Sequence, residues 1–480
     1  MNLTVYNDKP KEDIKFTRSQ ERAVDELIEF IAAPWSNSDF VRCLCGPGGT
    51  GKTFVTKYVI RNCKFSDSVI LCAAPTHKAC RVLSKAIGGK KVDTIQSMLG
   101  LRLNLSLEDF DPEHPQFDPL GEPKLEGNRV LIIDESSMLP AKLVNYLYDQ
   151  CRNEQIKLIM LGDASQLAPV NERKSLAFAG NNILYLNEIV RQENDNPISK
   201  LLLILRNDIR DRTYNFLEYI VRAPYAYDEN NCGYITCGLT EFTKHIQQSF
   251  LDEAYTKNID MYRIIAYTNA AVTNWNTYVR QNIIKDSEKS ILTKNDLVMS
   301  YNTIVDDFND VIIVNSDEYI INDIVDFVDP DYEFKGMMVK FQAIHGGKVT
   351  QPLFIINHFD SYTISRYYQT VNSLINAAKS ATVGRSGKWK EYYKFKRKYL
   401  LITNIVNKQG KIILQRDIDY GFAITSHKSQ GSTYDTVFVD INDMVYDKTG
   451  KPYNNADELL RRLYVACSRA RKELIFCYGR

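Results

Sequence analysis

The sequence contains no apolar run long enough to span a membrane. Its first residues, MNLTVYNDKPKED, lack the apolar core of a secretory signal peptide. We therefore expect a soluble protein that stays in the compartment where it is made and has no membrane partner.

The sequence also lacks a net charge that would attract nucleic acid over its whole surface. Lysine and arginine number 60, and aspartate and glutamate number 59. Any nucleic-acid binding must therefore depend on a local groove. The ten cysteines are scattered, and Cys232 and Cys237 have no second pair at zinc-finger spacing, so free thiols in a reducing cytoplasm are expected. A chain of 480 residues predicts two to four domains.

Residues 46–53, GPGGTGKT, match the G-x-x-x-x-G-K-[ST] phosphate-binding pattern. An apolar run at 40–45 precedes them and an amphipathic run at 54–60 follows, which predicts a strand, a glycine loop and a helix. A chance glycine turn is the alternative, and the two flanks count against it. The predicted nucleotide contacts are Gly46, Pro47, Gly48, Gly49, Thr50, Gly51, Lys52 and Thr53. Lys52 would reach the β- and γ-phosphates, and the Thr53 hydroxyl would bind Mg²⁺.

Two further apolar runs end in polar side chains suited to phosphoryl hydrolysis. The run at 129–134 delivers Asp134 and Glu135, of which the first would hold Mg²⁺ and the second would polarise the attacking water. The run at 157–161 is followed by Asp163 and Gln166. Arg191, in LNEIVRQ, is a candidate charge for the γ-phosphate.

Three other features have both a functional and an ordinary structural interpretation. Gln20, near the start of a predicted helix at 14–32, could contact the Hoogsteen edge of adenine or could be a solvated glutamine. Thr76, His77 and Lys78, in APTHKA after a strand at 68–73, could contact a phosphodiester backbone or form an ordinary turn. In the predicted helix 384–399, Trp389, Tyr393 and Lys396 or Arg397 fall on one face, which could stack on bases and bind phosphates. Alternatively, this is a solvated basic helix whose aromatic residues pack on the barrel.

Two segments interrupt the alternation of strands and helices. Residues 101–126 predict a hairpin with Phe110 and Phe117 near its tip, where they could also pack a small core of their own. Residues 296–415 have the composition of a small β-barrel with a helical excursion. Residues 196–255 are predicted to be helical, and Arg469 is predicted to end a helix before the last strand.

Ten motifs occur together in a fixed order. They are Gln20, the glycine loop, APTHKA (74–79), DTIQSMLG (93–100), DESSM (134–138), GDASQL (162–167), LNEIVRQ (186–192), YTN (267–269), TSHKSQG (425–431) and LYVACSRA (463–470). With these motifs the chain resembles the superfamily 1 helicases, specifically the 5′-to-3′, RecD-like branch (superfamily 1B) and its Dda-like members.

The resemblance implies an α/β fold of two RecA-like P-loop NTPase lobes with parallel sheets, ATP between them and Mg²⁺ as cofactor. It implies a pin-like hairpin in lobe 1 and a β-barrel with a helical tower inserted in lobe 2. The implied segments are 1–100 and 127–195 for lobe 1, 101–126 for the pin, 196–295 and 416–480 for lobe 2, and 296–415 for the insertion.

The resemblance also assigns roles by position. The implied catalytic residues are Lys52, Asp134, Glu135, Gln166, Arg191 and Arg469, with Thr53 and Asp134 on the metal and Gln20 on adenine. The implied contacts to single-stranded DNA are Pro75, Thr76, His77, Thr94, Gln96, Thr268, Thr425, His427, Lys428 and Gln430. Phe110 or Phe117 would separate the strands.

The function expected from this resemblance is an ATP-dependent DNA helicase acting in replication, recombination or repair. Its partners would be single-stranded and forked DNA and single-strand-binding or recombination proteins, and it would act as a monomer in the cytoplasm of a bacterium or a phage-infected cell. Two alternatives remain at this point. One is a translocase that strips proteins from DNA, and the other is a DNA-binding accessory factor regulated by ATP.

Overall fold

The structure, a computed structural model, describes most of the chain. The described residues are 15–103, 117–119, 121–169, 172, 175–180, 182–188, 196–253, 255, 258–284, 287, 290–306, 311–344, 348–407, 409 and 411–479. Phe110 and Arg191, two predicted functional residues, lie outside them.

Lobe 1 is built on a sheet of six parallel strands. The strands described between residues 41 and 185 are β1 (Val41–Cys45), β2 (Ile70–Ala74), β3 (Asp93–Thr94), β4 (Leu101–Leu103), β5 (Phe117–Pro119), β6 (Val130–Ile133), β7 (Lys157–Gly162) and β8 (Ile183–Tyr185). Six of them pair in the order β3-β2-β6-β7-β1-β8, and β4 pairs with β5 as a separate antiparallel ribbon. That ribbon begins the predicted excursion at 101–126.

Helices cover both faces of this sheet. They are α1 (Arg18–Ala32), α2 (Lys52–Asn62), α3 (His77–Ala86), α4 (Ile95–Met98) and α5 (Ala141–Asn153). Strands buried on both faces are apolar throughout, and β7 illustrates this. Ile159 and Leu161 join the core on one face, and Leu158 and Met160 join the core on the other. The parallel arrangement brings the carboxyl ends of β1, β6 and β7 to one edge.

Lobe 2 begins with α6 (Pro197–Asp211) and α7 (Asn215–Arg222). It continues with β9 (Tyr225–Tyr227), β10 (Gly233–Cys237), α8 (Leu239–Phe250), β11 (Tyr262–Ala266) and α9 (Asn269–Asn282). The prediction that 196–255 is helical is wrong for two of these elements. The short strands β9 and β10 pair antiparallel with each other, and β10 also pairs parallel with a strand more than 200 residues away in the sequence. The local pattern of apolar residues does not reveal such a distant pairing, so the strands were missed.

The insertion follows and is mainly antiparallel. Its elements are β12 (Leu297–Ser300), β13 (Ile304–Val305), β14 (Val311–Ile313), β15 (Glu318–Val328), β16 (Lys335–Ala343), β17 (Leu353–Ile356), α10 (Ser361–Ser380), α11 (Arg385–Lys398), β18 (Tyr399–Leu400), β19 (Ile405–Val406), β20 (Ile412–Leu414) and β21 (Ile418–Tyr420). Six strands pair in the order β18-β17-β16-β15-β12-β21. Strand β15 was not predicted, because its second half is exposed and carries acidic residues.

The chain then completes the second sheet, which is parallel except for its edge strand β9, with β22 (Ala423–Thr425), β23 (Tyr434–Asp440), α12 (Ile441–Val445), α13 (Ala456–Cys467) and β24 (Ala470–Cys477). The strand order is β22-β11-β23-β24-β10-β9. One apolar core joins this lobe to the insertion, since Ile264 and Phe438 of the lobe cluster with Val298 and Val339 of the inserted sheet. The insertion is therefore anchored on lobe 2.

In the described part of the chain, none of the helices has both the length and the apolar character needed to cross a membrane.

Candidate functional site

The glycine loop has a backbone that requires glycine. Gly51 has φ +85° and lies at the N-cap of α2, and a Cβ atom there would approach the Gln20 side-chain nitrogen to 2.5 Å. At Gly46 a Cβ atom would lie 2.7 Å from the Thr50 hydroxyl and 2.9 Å from the Cβ of Leu186. Since the loop opens directly into a helix, its N–H groups are suited to an anion.

Lys52, the first residue of α2, is turned into this loop. Its Nζ donates hydrogen bonds to the carbonyl oxygens of Gly46 (2.5 Å) and Pro47 (3.1 Å). Thr53 follows on the same helical turn and is half-buried. The residues that would bind a phosphate and its metal are therefore adjacent.

Asp134 and Glu135 follow β6, beside the loop. The Asp134 carboxylate accepts a hydrogen bond of 2.8 Å from the backbone N–H of Glu135. Burial raises the pKa of both carboxyls, and the Lys52 ammonium lowers both, which places all three groups in one electrostatic environment. Glu135 has φ +50°, a left-handed conformation that non-glycine residues adopt at a cost and that is often found at functional sites.

Arg469 of lobe 2 acts on the same carboxyl from the other side. Its charge lowers the pKa of Glu135, after burial and the nearby Asp134 have raised it. The guanidinium is buried and held by the Ser432 carbonyl (3.2 Å), the Ser468 hydroxyl (2.7 Å) and the Val465 carbonyl (3.1 Å). It lies in the turn that joins α13 to β24, two residues after the last residue of the helix, so the predicted helix end is placed two residues too late.

Gln166 lies where the two lobes touch. Its side-chain oxygen accepts a hydrogen bond of 3.4 Å from Nε2 of Gln430, which also donates to the Leu167 carbonyl at 3.4 Å. Arg461 of α13 donates to the carbonyls of Ala164 and Gln166. Gln430, predicted to contact DNA, is thus engaged in the contact between the lobes.

Sequence reasoning missed Arg461 and its neighbour Tyr464. Both lie on α13, one turn apart, and both reach the segment after β7. The sequence feature that could have identified them is their position, one to two helical turns before Arg469.

Gln20 is placed against the glycine loop. Its Nε2 donates to the Thr50 carbonyl at 2.9 Å, and its Oε1 accepts from the N–H of Thr17 at 3.1 Å in a capping box. The side chain is 1% exposed. Contact with adenine stays a prediction, and it would require Gln20 to exchange one of these bonds.

The four threonines predicted to contact DNA share one structural role. Each lies at the end of a strand or within two residues after it, and each hydroxyl accepts a hydrogen bond from a backbone N–H three residues later. These bonds are Thr76 from Ala79 (3.1 Å), Thr94 from Ser97 (3.2 Å), Thr268 from Ala271 (3.1 Å) and Thr425 from Lys428 (3.3 Å). Thr76, Thr94 and Thr268 are the N-caps of α3, α4 and α9. Helix N-termini favour phosphate groups, so these strand ends suit a nucleic-acid backbone.

The remaining predicted DNA contacts differ in exposure. His77 is exposed, and Pro75, Gln96 and His427 are half-buried. Burial lowers the pKa of the His427 imidazole.

Lys428 is turned away from solvent. Its Nζ donates to the Ser300 carbonyl (3.2 Å) and the Ser316 hydroxyl (3.1 Å) and lies 3.9 Å from the centre of the Tyr301 ring. Burial and the Arg416 charge lower its pKa to about 7. In this conformation Lys428 binds the insertion.

Asp443, which the sequence did not single out, holds the loop of Thr268. Its carboxylate accepts hydrogen bonds from the Thr268 hydroxyl (2.6 Å) and from the N–H groups of Tyr267 (2.7 Å) and Thr268 (2.8 Å). The Thr268 hydroxyl therefore positions its own loop.

The aromatic residues of α11 pack within the insertion. Tyr393 and Phe395 are buried in its core, and Nζ of Lys396 lies 3.5 Å from an Asp417 oxygen. Trp389 packs against the same core. The structure therefore agrees with the interpretation in which the aromatic residues of this helix pack on the barrel. Phe117 lies in β5, and Phe110 lies outside the described residues.

Comparisons with known proteins agree with this architecture. The model of the family described as an AAA domain matches residues 16–219, and that of the UvrD-like helicase C-terminal domain matches 420–477. The chain is similar to the ATP-dependent DNA helicase dda of Enterobacteria phage T4, with 25% identity over 468 residues, 90% of this chain and 93% of that protein. It is also similar to the uncharacterized protein R530 of Acanthamoeba polyphaga mimivirus, with 25% identity, covering 96% of this chain and 99% of that protein.

Among solved structures, a Pif1 helicase studied for DNA unwinding at forked duplexes has a TM-score of 0.50 and 18% identity. The match covers 97% of this chain and 92% of that chain and shows the likeness of fold. The two family models and a phage relative aligned along nearly all of the chain agree with the two-lobed fold and support a superfamily 1B helicase related to Dda.

Proposed function

We propose that this protein hydrolyses ATP to move 5′ to 3′ along single-stranded DNA and unwinds duplex DNA during replication, recombination or repair. The observation that carries the proposal is the placement of Arg469 of lobe 2 across from Glu135 of lobe 1, close enough to lower the pKa of that carboxyl. Because lobe 2 supplies the Arg469 guanidinium, ATP hydrolysis at this site would require the two lobes to close on each other.

Each side chain of the cleft has a chemical task in this proposal. Lys52 would bind the β- and γ-phosphates, and Thr53 and Asp134 would hold Mg²⁺, which would supply positive charge to the phosphate oxygens. Carboxylate and hydroxyl oxygens are ligands that this ion prefers, so the half-buried Asp134 and Thr53 fit it. Glu135 orients the attacking water and accepts its proton, and its raised pKa makes it a better base. Arg469 and Arg191 stabilise charge developing on the γ-phosphate.

The contact between Gln166 and Gln430 would couple ATP hydrolysis in the cleft to the proposed DNA-binding residues of lobe 2. Gln430 lies in the same polar turn as Thr425 and His427, the proposed DNA contacts of lobe 2. A change at the γ-phosphate that moves Gln166 would therefore move this turn relative to Thr76 and His77 of lobe 1. Alternating grip by the two lobes would then advance the strand.

A test of movement and of its direction uses streptavidin bound to one end of a biotinylated oligothymidylate. With ATP and Mg²⁺, we expect accelerated release of streptavidin from the 3′ end, and little from the 5′ end. Release from the 5′ end alone would contradict the proposed direction. If neither end is cleared while DNA still stimulates hydrolysis, the ATP-regulated accessory factor becomes the better account.

We place the protein in the cytoplasm of a bacterial or phage-infected cell, acting as a monomer on single-stranded and forked DNA alongside single-strand-binding or recombination proteins.

A further inference from the structure

Lys78 directly follows His77 at the start of α3, in a loop proposed to contact DNA, yet its ammonium points to the insertion. Its Nζ lies 3.0 Å from Oε2 of Glu318, the first residue of β15. It also lies 3.8 Å from a carboxylate oxygen of Asp260 and 3.5 Å from the Tyr434 hydroxyl. A lysine with a position suited to a phosphate is therefore paired with a carboxylate of the inserted sheet.

Glu318 has a second cation that does not depend on lobe 1. Nη2 of Arg263, in β11 of lobe 2, lies 3.0 Å from Oε1 of Glu318, and the two side chains are 0% and 4% exposed. The Arg263 guanidinium also stacks 4.7 Å from the centre of the Tyr434 ring. If Lys78 leaves, Glu318 still has a buried partner, so departure does not strand a buried charge.

The turn that precedes Glu318 contacts both lobes. Arg81, one helical turn after Lys78, lies 3.3 Å from Asp317, and Lys428 of lobe 2 donates to the Ser316 hydroxyl at 3.1 Å. Ser316 has φ +63°, a left-handed conformation that is uncommon for serine. Because Arg81 keeps α3 against this turn, Lys78 can move without separating lobe 1 from the insertion.

A cavity of about 170 Å³ adjoins these groups between the lobes. Its lining includes Lys78 and Glu318 as well as Thr76 and His427, which belong to the proposed DNA-binding loops of the two lobes. The flexible stem of a lysine side chain spans such a space by rotation alone. The ammonium of Lys78 therefore has open space on the side of the DNA-binding loops.

We propose, building on the helicase function above, that Lys78 exchanges partners: Glu318 holds it while the groove is free, and a backbone phosphate of single-stranded DNA takes it when the strand binds. Glu318 acts as a positioning residue that competes with DNA for this lysine. The insertion thereby lowers the affinity of the free protein for DNA. When the strand binds, Glu318 loses Lys78 and keeps Arg263, so DNA binding to lobe 1 changes an ion pair of lobe 2.

The salt dependence of binding tests this exchange directly. Each phosphate paired with a protein cation releases counterions, and for single strands each contributes about 0.7 to the slope of log K against log salt. We expect Lys78→Gln to bind labelled oligothymidylate more weakly and with a slope shallower by about 0.7. Arg81→Gln is the matched control, since Arg81 stays on Asp317, and it should keep the wild-type slope.

Glu318→Gln supplies the opposite change. The amide oxygen can still accept a hydrogen bond from Arg263, whereas the amide NH₂ group cannot accept one from Lys78. The substitution therefore removes the charge that competes with DNA for Lys78, so tighter DNA binding is expected. A wild-type slope in Lys78→Gln would overturn the exchange, and so would an equal loss of slope in Arg81→Gln. If Glu318→Gln does not fold, the comparison of Lys78→Gln with Arg81→Gln still decides. Failure of the unmodified protein to bind the oligonucleotide would instead refute the proposed function.

Discussion

The hydroxyl of Tyr464 in lobe 2 donates a hydrogen bond of 2.7 Å to Oδ2 of Asp163 in lobe 1. Both side chains are buried, at 1% and 2% exposure. Burial and the Asp163 charge raise the pKa of Tyr464 well above its usual value, so the phenol remains a donor. Tyr464 lies on α13, and Arg469 follows that helix by two residues. The hydrogen bond therefore ties the end of β7 to the helix that positions Arg469.

Replacement of Tyr464 by phenylalanine should uncouple the two lobes without emptying the core. The buried Asp163 oxygen loses its donor, which we expect to cost about 2 kcal/mol of stability. DNA-stimulated ATP turnover should fall by more than nucleotide affinity, because Arg469 is placed less well. Thermal unfolding, nucleotide titration and steady-state hydrolysis measure the three quantities.

Tyr255→Phe is a suitable control for that variant. The Tyr255 hydroxyl is buried, and among the described residues it has no hydrogen-bond partner. Its removal should leave both stability and turnover close to those of the wild type. Equal turnover in Tyr464→Phe and Tyr255→Phe would show that the bond to Asp163 has no part in coupling.

Lys52→Ala should abolish ATP hydrolysis and leave the fold intact. The ammonium is the charged group inside the glycine loop, and its hydrogen bonds to the Gly46 and Pro47 carbonyls are local. Circular dichroism checks the fold, and phosphate release with single-stranded DNA checks the activity. Lys57→Ala, farther along α2, should hydrolyse ATP normally. Near-normal turnover in Lys52→Ala would refute the nucleotide assignment.

Glu135→Gln should bind ATP but turn it over at least about 100-fold more slowly, since the amide cannot accept a proton from water. The substitution also removes the charge of one of two neighbouring, half-buried carboxyls, so nucleotide affinity should be retained or increased. A filter-binding assay with labelled ATP measures trapping, and rapid release of ADP from this variant would contradict the role of Glu135 as the base.

Burial of Lys428 should make the folded protein more stable as the pH rises. Its pKa is lowered from 10.5 to about 7 in the folded protein. Between these values the unfolded chain binds a proton that the folded chain does not, so stability rises with pH. The free-energy cost of burying the charged amine is fully present below pH 7 and disappears as the pH rises towards 10.5.

Lys428→Met should remove that rise, which amounts to at most about 1.4 kcal/mol per pH unit. Thermal unfolding between about pH 7 and pH 10 measures it, with the exposed Lys448→Met as control. Parallel pH profiles for the wild type and Lys428→Met would show that the amine is not buried as described.

The residues around the nucleotide could be predicted from sequence because their chemistry is local. A glycine loop between a strand and a helix, and carboxylates after an apolar strand, are each contained in a short segment, and the structure places Lys52, Asp134 and Glu135 together. The two parallel sheets likewise follow from buried apolar runs. What periodicity missed was β10 and β15, whose pairing partners are distant or whose surface is exposed.

Side-chain partners across domains could not be predicted. Lys78 and Lys428 both have positions suited to DNA, yet each is bound by the insertion, through Glu318 and Ser316. Glu318 carries no sequence signal, since it is a charged residue at the start of an unpredicted strand. Such contacts depend on how three parts of the fold meet, which no single segment encodes.

The central claim is that the cleft between the lobes drives strand separation, and unwinding of tailed duplexes tests it most directly. A short duplex with a 5′ single-stranded tail and its counterpart with a 3′ tail are incubated with ATP and Mg²⁺, and strand release is followed. We predict release from the 5′-tailed duplex only, and none with Lys52→Ala. Failure to release either strand, while single-stranded DNA still stimulates hydrolysis, would contradict the helicase account and favour a translocase that displaces proteins.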